Sequence, residues 1–314
     1  MGTLSRFVFG ISPSETLVSR RGFRCDLPHV RERLESIGAS FVMGYHAALS
    51  DPRGEAIARV LMAVDEELRG FAYEGAGMGL TLLDGLTPWR RDRFARFLAG
   101  PGAPHAYMVH VGAGWAHARL GSNPRRIARS YDPLLRWLVF DGWGFHDGYF
   151  HWQRSLSRHV VPSRLHDYAA RAYDQGLGRA AWFVNGADPV RAVEAVAGFA
   201  PGRQADLWSG IGLAAAYAGG ATDESLEVLH RLAGRHSAAL AQGASFAAQA
   251  RRRADNATAH TGRACAVLCG ESAERAAEAT TEALRDLPRD GVVPAYESWR
   301  GRVREHFMNE PVMA

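Results

Sequence analysis

Apolar residues recur at near-helical spacing along most of the chain. From Pro28 the segment HVRERLESIGASFVMGYHAAL carries such a pattern, and Ser50-Asp51-Pro52 supplies a stop. Segments 89–99, 133–141, 190–200, 224–233, 238–253, 260–269 and 272–287 read as helices in the same way. Asp51 and Asp188 each precede a proline, which suits an N-cap with proline in the first turn. Alternation of period two is scarce. Residues 106–111 and 180–184 are the nearest candidates for strands, and both are short. The pattern predicts a mostly α protein.

Part of the pattern occurs twice. DPRGEAIARVLMAVDEELRGFAYEGAGMGLTLLDG begins at Asp51, and DPVRAVEAVAGFAPGRQADLWSGIGLAAAYAGG begins at Asp188. Both open on Asp-Pro, run through an Ala/Val-rich stretch and reach an aromatic residue followed by x-Gly-x-Gly. Downstream, GAGWAHAR from Gly112 matches GASFAAQAR from Gly243, and Asn123 matches Asn256. Tyr149, Trp152 and His159 then recur as Tyr296, Trp299 and His306. The offsets lie between 131 and 147 residues. This order predicts two tandem pseudo-symmetric helical repeats packed as one unit. Residues 40–160 and 175–307 form the copies, 1–39 an N-terminal segment, 161–174 a connector and 308–314 a tail.

Gly75, Gly77 and Gly79 have the wrong spacing for a dinucleotide fingerprint, and no strong strand precedes them. A glycine costs about 1 kcal/mol against alanine inside a helix, so several together imply a return. Close approach between helices supplies one; close backbone approach to an elongated ligand supplies the other.

Composition narrows the class. The 314 residues are enough for a substantial core, and 47% hydrophobic with 22% charged residues is ordinary globular composition. No apolar run is long enough to span a bilayer, and the start lacks a signal-peptide pattern, so a cytoplasmic protein is expected. Three cysteines, Cys25, Cys265 and Cys269, argue against a disulfide framework. All 37 basic residues are arginine, and the net charge is +4. The arginines are spread along the chain, which fits genomic bias and predicts no nucleic-acid partner.

Several blocks resemble a known family: RRGF from Arg20, FAYEGAGMG from Phe71, HVGAGWAHAR from His110, GWGFHDGYF from Gly142, DLWSGIGLAAAYAGG from Asp206 and HTGRACAVLCG from His260. Together with the opening FGISPSE they are similar to the UnbL-type proteins of enediyne biosynthesis, over nearly the whole chain. The resemblance implies a role in forming the enediyne core from a linear conjugated polyene. It also implies, as partners, a membrane protein and a repeat-containing UnbV-type protein. It supplies neither mechanism nor cofactor.

The residues themselves offer candidates. Glu74 lies among apolar and glycine residues, where a carboxylate is costly to bury unless paired, and where a raised pKa suits a general acid or base. A bridge to an arginine such as Arg119 is the structural alternative. His146 and Asp147 lie among Trp143, Phe145, Tyr149, Phe150 and Trp152, which can line a slot for a flat chain or form ordinary core. Tyr73, Gly77, His110, Trp115, Arg119, Trp143, Tyr149 and Trp208 are the candidate substrate contacts. His110, His117 and His146 can assemble a metal site with Glu74 or Asp147 only if the fold gathers them; no contiguous metal motif exists, and no metal is assigned. Cys265 and Cys269 share a helix face and suit either packing or redox chemistry. Three functions follow: an enzyme acting on the polyene, a non-catalytic carrier that presents it, or a scaffold. The first two predict an elongated apolar cavity and the third a solid interior. A homodimer is compatible with each.

Overall fold

The computed structural model describes residues 2–87 and 89–309. The expected tail 308–314 therefore lies, from residue 310 on, outside the described residues. Among those described, every regular element is helical. Seven long helices form the frame: α1 (Pro28–Ser50), α2 (Arg69–Leu86), α3 (Ala106–Leu120), α4 (Arg136–Phe150), α5 (Asp167–Val184), α6 (Pro201–Tyr217) and α7 (Ser237–Arg253). Shorter helices connect them, such as Gly54–Met62, Pro189–Ala197 and Asp223–Ala233. A last helix, α8 (Ala295–Asn309), packs on α7.

Residues 106–111 and 180–184, the nearest strand candidates, are helical, inside α3 and α5. Their short apolar runs are helix faces buried on several sides, which periodicity alone does not separate from strands. Asp188 caps its helix as expected, accepting the Arg191 N–H at 2.9 Å. Asp51 instead ends α1 and accepts the Arg53 N–H at 3.1 Å, so Arg53 occupies the cap of the next helix.

Each long helix packs against the next one in sequence, and glycine makes this possible. Gly75, Gly112, Gly142, Gly176, Gly210 and Gly243 face the preceding long helix. Gly44, Gly77, Gly114, Gly144, Gly178 and Gly212 face the following one. At all twelve, an added Cβ would lie 1.8–2.4 Å from a backbone oxygen of the neighbour, where no atom fits. Five helices thus carry Gly-x-Gly. Two residues turn about 200° around a helix, so the pair opens opposite faces to two neighbours. Contacts advance in the same direction along both partners: Gly75 meets Phe41, and Gly79 meets Tyr45 and Ala48. Neighbouring long helices are therefore parallel, with the short helices running back between them.

The glycines facing backward, from Gly75 to Gly243, are 30 to 37 residues apart. Gly75 and Gly210, equated above as copies, are separated by four such units, as are Gly112 and Gly243. The structure thus displays a period shorter than half the chain. Residues 40 and 175, the expected starts of the copies, fall inside α1 and α5. One large apolar core runs from Ile11 to Val303 and joins both halves.

The row of helices curls until its first members meet its last. Arg33 of α1 donates to the Ala218 carbonyl beyond α6 and pairs with Glu67, which also binds His260 Nδ1 at 2.9 Å. Buried Arg251 of α7 donates to the carbonyls of Glu67 at 2.7 Å and Tyr217 at 2.8 Å. Cys265 and Cys269 lie against α7, with Sγ atoms toward the Ala244 and Ala241 carbonyls. Burial raises the Cys269 thiol well above its ordinary pKa, so it is a packed thiol and not a reactive thiolate.

Two glycine substitutions test this frame. Gly112→Ala drives a Cβ into the Glu74 carbonyl and is expected to destabilise the protein by about 3 kcal/mol. Gly262→Ala, in the helix Ala259–Leu268, meets open space and should stabilise by about 1 kcal/mol. Chemical denaturation measures both; similar midpoints for the two variants would contradict the packing described.

Candidate functional site

The residue before the backward-facing glycine points into the middle of the array. In five helices it is polar: Glu74, Asp141, Gln175, Ser209 and Gln242, each 0 or 1% exposed. Asp141 is ion-paired with Arg179 and accepts from Gln175 Nε2 at 2.8 Å. Ser209 donates to Gln242 at 2.9 Å. Arg300 of α8 completes the outer part, paired with Asp206 at 2.6 Å and close to Gln242 at 3.2 Å.

Glu74 is the one carboxylate of this set that no arginine holds directly. Oε1 accepts from Trp115 Nε1 at 2.9 Å, while Oε2 is buried without a hydrogen-bond partner and lies 3.9 Å from Arg179. Arg119 is not its partner; that guanidinium lies over the Phe150 ring at 5.2 Å. The Tyr217 hydroxyl also lacks a partner and occupies the space beside Gly70, one turn before Glu74. Burial pushes the Glu74 carboxyl up to about 7, with Arg179 opposing and Asp141 adding to the rise.

His146 and Asp147 stand on α4 at the wall of a surface cleft of about 660 Å³. His146 Nδ1 is 2.9 Å from Asp147 Oδ1, and Tyr173 donates its hydroxyl to Asp147 Oδ2 at 3.1 Å. Tyr173 is fully buried, so it fixes the carboxylate from the core side. Burial lowers the His146 pKa, partly offset by Asp147. The imidazole is therefore neutral near pH 7. With Nδ1–H held by Asp147, Nε2 is the atom left to exchange a proton. Trp143, Phe150, Arg21, Arg119, Arg154 and Arg164 line the same cleft.

An apolar pocket of about 40 Å³ lies inward of it and shares Phe150. Phe41, Trp115, Phe145, Tyr149 and Phe183 surround it, Glu74 forms its floor, and Ile11 and Thr16 of the N-terminal segment line it as well. Trp115 links the two sites: its indole holds Glu74 and meets the His146 ring edge-on at 5.7 Å. The aromatic block thus divides, with Trp143 on the cleft and Tyr149 on the inner pocket.

The remaining predicted contacts lie elsewhere. Tyr73 stacks on His105, with ring centres 4.0 Å apart, inside a small separate cluster. Gly77 is filled by the Val109 carbonyl, which leaves no space for a ligand there. His110 bonds the Ala106 carbonyl at 2.7 Å, and His117 bonds Ser122 and Tyr131. These two histidines are not brought to His146, and no cluster of three metal-ligating side chains occurs among the described residues. Trp208 stacks on His236 at the far side of α6. The sequence reading missed Tyr173, Arg179 and Asp141. The signal for Asp141 was available, since it precedes Gly142 as Glu74 precedes Gly75.

No helix among the described residues is long and apolar enough to cross a membrane. Neither a curated protein nor a solved structure matches the chain. A family model described as a protein of unknown function, DUF1702, matches residues 1–307, and the chain belongs to that family.

Proposed function

We propose that this protein performs acid–base chemistry on a conjugated, largely apolar chain, with His146 exchanging the proton. The hydrogen-bonded series Tyr173–Asp147–His146 on the wall of a cleft carries this reading. Such an arrangement fixes the tautomer and orientation of an imidazole, as catalytic bases require. A proton shift is the reaction it performs unaided. Nε2 takes a proton from one carbon of the chain, the double bonds move along by one place, and the imidazolium returns the proton at another carbon. The similarity to UnbL-type enediyne proteins supports a linear polyene polyketide as substrate and a cytoplasmic accessory enzyme as the role. A membrane protein and a UnbV-type protein of the same pathway are the partners in this reading.

Glu74 has a different part. Arg179 neutralises one carboxylate, and Asp141 holds it directly, so Glu74 is the surplus acid and is half protonated near pH 7. Facing the inner pocket, it can supply or accept a second proton where a chain passes Phe150. The pocket is too small for a polyene while Ile11 and Thr16 line it. That packed interior favours the second reading, a scaffold in which Glu74 only holds the array together.

Two measurements test these assignments. With the polyene supplied by a co-produced polyketide synthase, His146→Ala and Asp147→Asn should retain bound polyene, seen by its banded absorption. Each should lower its conversion by about a hundredfold or more. Undiminished conversion in both variants would remove the pair from catalysis. The second concerns Glu74, whose folded pKa of about 7 exceeds its ordinary 4.5. The folded state then holds the extra proton between these values, so stability falls as pH rises from about 4.5 to about 7. Glu74→Gln, which keeps an acceptor for Trp115, should lose that slope and gain on the parent as pH rises. Parallel curves of unfolding free energy against pH would show that Glu74 is not the buried surplus acid.

A further inference from the structure

Most buried or half-buried arginines of this protein have a carboxylate: Arg33 with Glu67, Arg93 with Asp84, Arg179 with Asp141, Arg203 with Asp174 and Arg300 with Asp206. The cleft beside His146 differs: its exposed Arg119, Arg154 and Arg164 have no carboxylate partner among the described residues. Arg21, Arg119, Arg154 and Arg164 line it, together with His151, and Asp147 is the one carboxylate among the lining residues. Asp147 is already engaged by His146 and Tyr173. Arg21 is paired with Glu15, yet its Nε is buried without a hydrogen-bond partner. Arg164 is held by the Gly121 carbonyl, and Arg119 by the face of Phe150. Surrounding protein lowers the Arg119 pKa, with Tyr45 and Glu15 opposing, although its side chain stays exposed. The wider groove next to the cleft behaves differently: its Arg136 is paired with Asp290, and its Arg171 with Glu297.

Guanidiniums gathered around one cavity whose single carboxylate is already engaged complement an anionic oxygen group. The other walls of the cleft are apolar, formed by Trp143, Phe150, Val160 and Pro162. We infer that the cleft takes an amphiphile whose anionic head, a carboxylate or a phosphate, is held by Arg119, Arg154 and Arg164. Its apolar chain lies against Trp143 and Phe150, beside His146. This rests on the function proposed above and names the end of the chain by which the substrate is recognised. The head fixes the register, and the register decides which carbon meets His146 Nε2. An uncharged chain would slide along Phe150 and present no single position for proton transfer.

The test uses the full chain with decatetraenoic acid, the corresponding alcohol and decyl phosphate, with binding followed by calorimetry at low and high salt. The acid should bind about tenfold or more tighter than the alcohol, and this preference should shrink at high salt. Among the described residues Arg119 and Arg154 make no ion pair, so Arg119→Gln with Arg154→Gln should fold normally, as an unchanged thermal midpoint would verify. That double variant should lose the preference for acid over alcohol, while His146→Asn should keep it. Tighter binding of decyl phosphate assigns the head as phosphate, and tighter binding of the acid assigns it as carboxylate. Equal affinity for acid and alcohol, or an unaltered preference in the double variant, overturns the head-group assignment and leaves His146 as the base for an uncharged chain. Failure of all three ligands to bind overturns both.

Discussion

Close approach of backbones through paired glycines is the constraint on which the other features depend. At each of six helix interfaces two glycines face each other's helix, and the carbonyl of one chain segment fills the space where the other would carry a Cβ. Axes that close leave little room between helices, so side chains must project either outward or into the middle of the curled row. The arrangement thus concentrates buried polar groups along one line. It also brings contacts of weak individual strength, dispersion and Cα–H···O, to many atoms at once. That sum offsets the roughly 1 kcal/mol which each helical glycine costs.

The same geometry explains which charges are tolerated. A residue preceding the backward-facing glycine has no route to solvent, so each polar side chain there must find a partner from an adjacent helix. Gln175 finds Asp141, Ser209 finds Gln242, and Arg179 finds Asp141. Glu74 finds only Trp115 for one oxygen. A carboxyl in that setting either stays protonated or draws on a distant cation, and burial outweighs the 3.9 Å attraction of Arg179.

Much of this was legible in the sequence. The helices, the recurrence of x-Gly-x-Gly and the value of the glycines for close packing follow from spacing and from the cost of glycine in helices. The length of the repeat did not follow, because the match between the blocks at Asp51 and Asp188 drew the reading to the long offset. Phe140-Asp141-Gly142-Trp143-Gly144 of the intervening α4 carries the same aromatic-x-Gly-x-Gly pattern as the blocks around Glu74 and Ser209, so the shorter spacing was present there as well. Tyr73 and Gly77 were drawn into the candidate site by nearness to Glu74 in sequence, yet one step along a helix turns about 100°. Tyr73 consequently faces His105 in another cluster, and Gly77 faces Val109. By contrast, His146 and Asp147 remain together because the Nδ1 contact bridges adjacent residues, and Tyr173, on the next helix, could not be anticipated from spacing.

The separation of the two acid–base groups has a consequence for any chemistry done here. His146 sits at a cleft that solvent and arginine side chains share, whereas Glu74 is sealed behind Trp115 and Phe150. His146 borders the open cleft, and Glu74 does not. A chain entering by its apolar end would meet His146 first and the sealed acid only after the N-terminal residues Ile11 and Thr16 gave way. The packing around Glu74 therefore sets its raised pKa. The glycine frame that forces the acid into the interior is what keeps the two proton sites chemically distinct although one indole touches both.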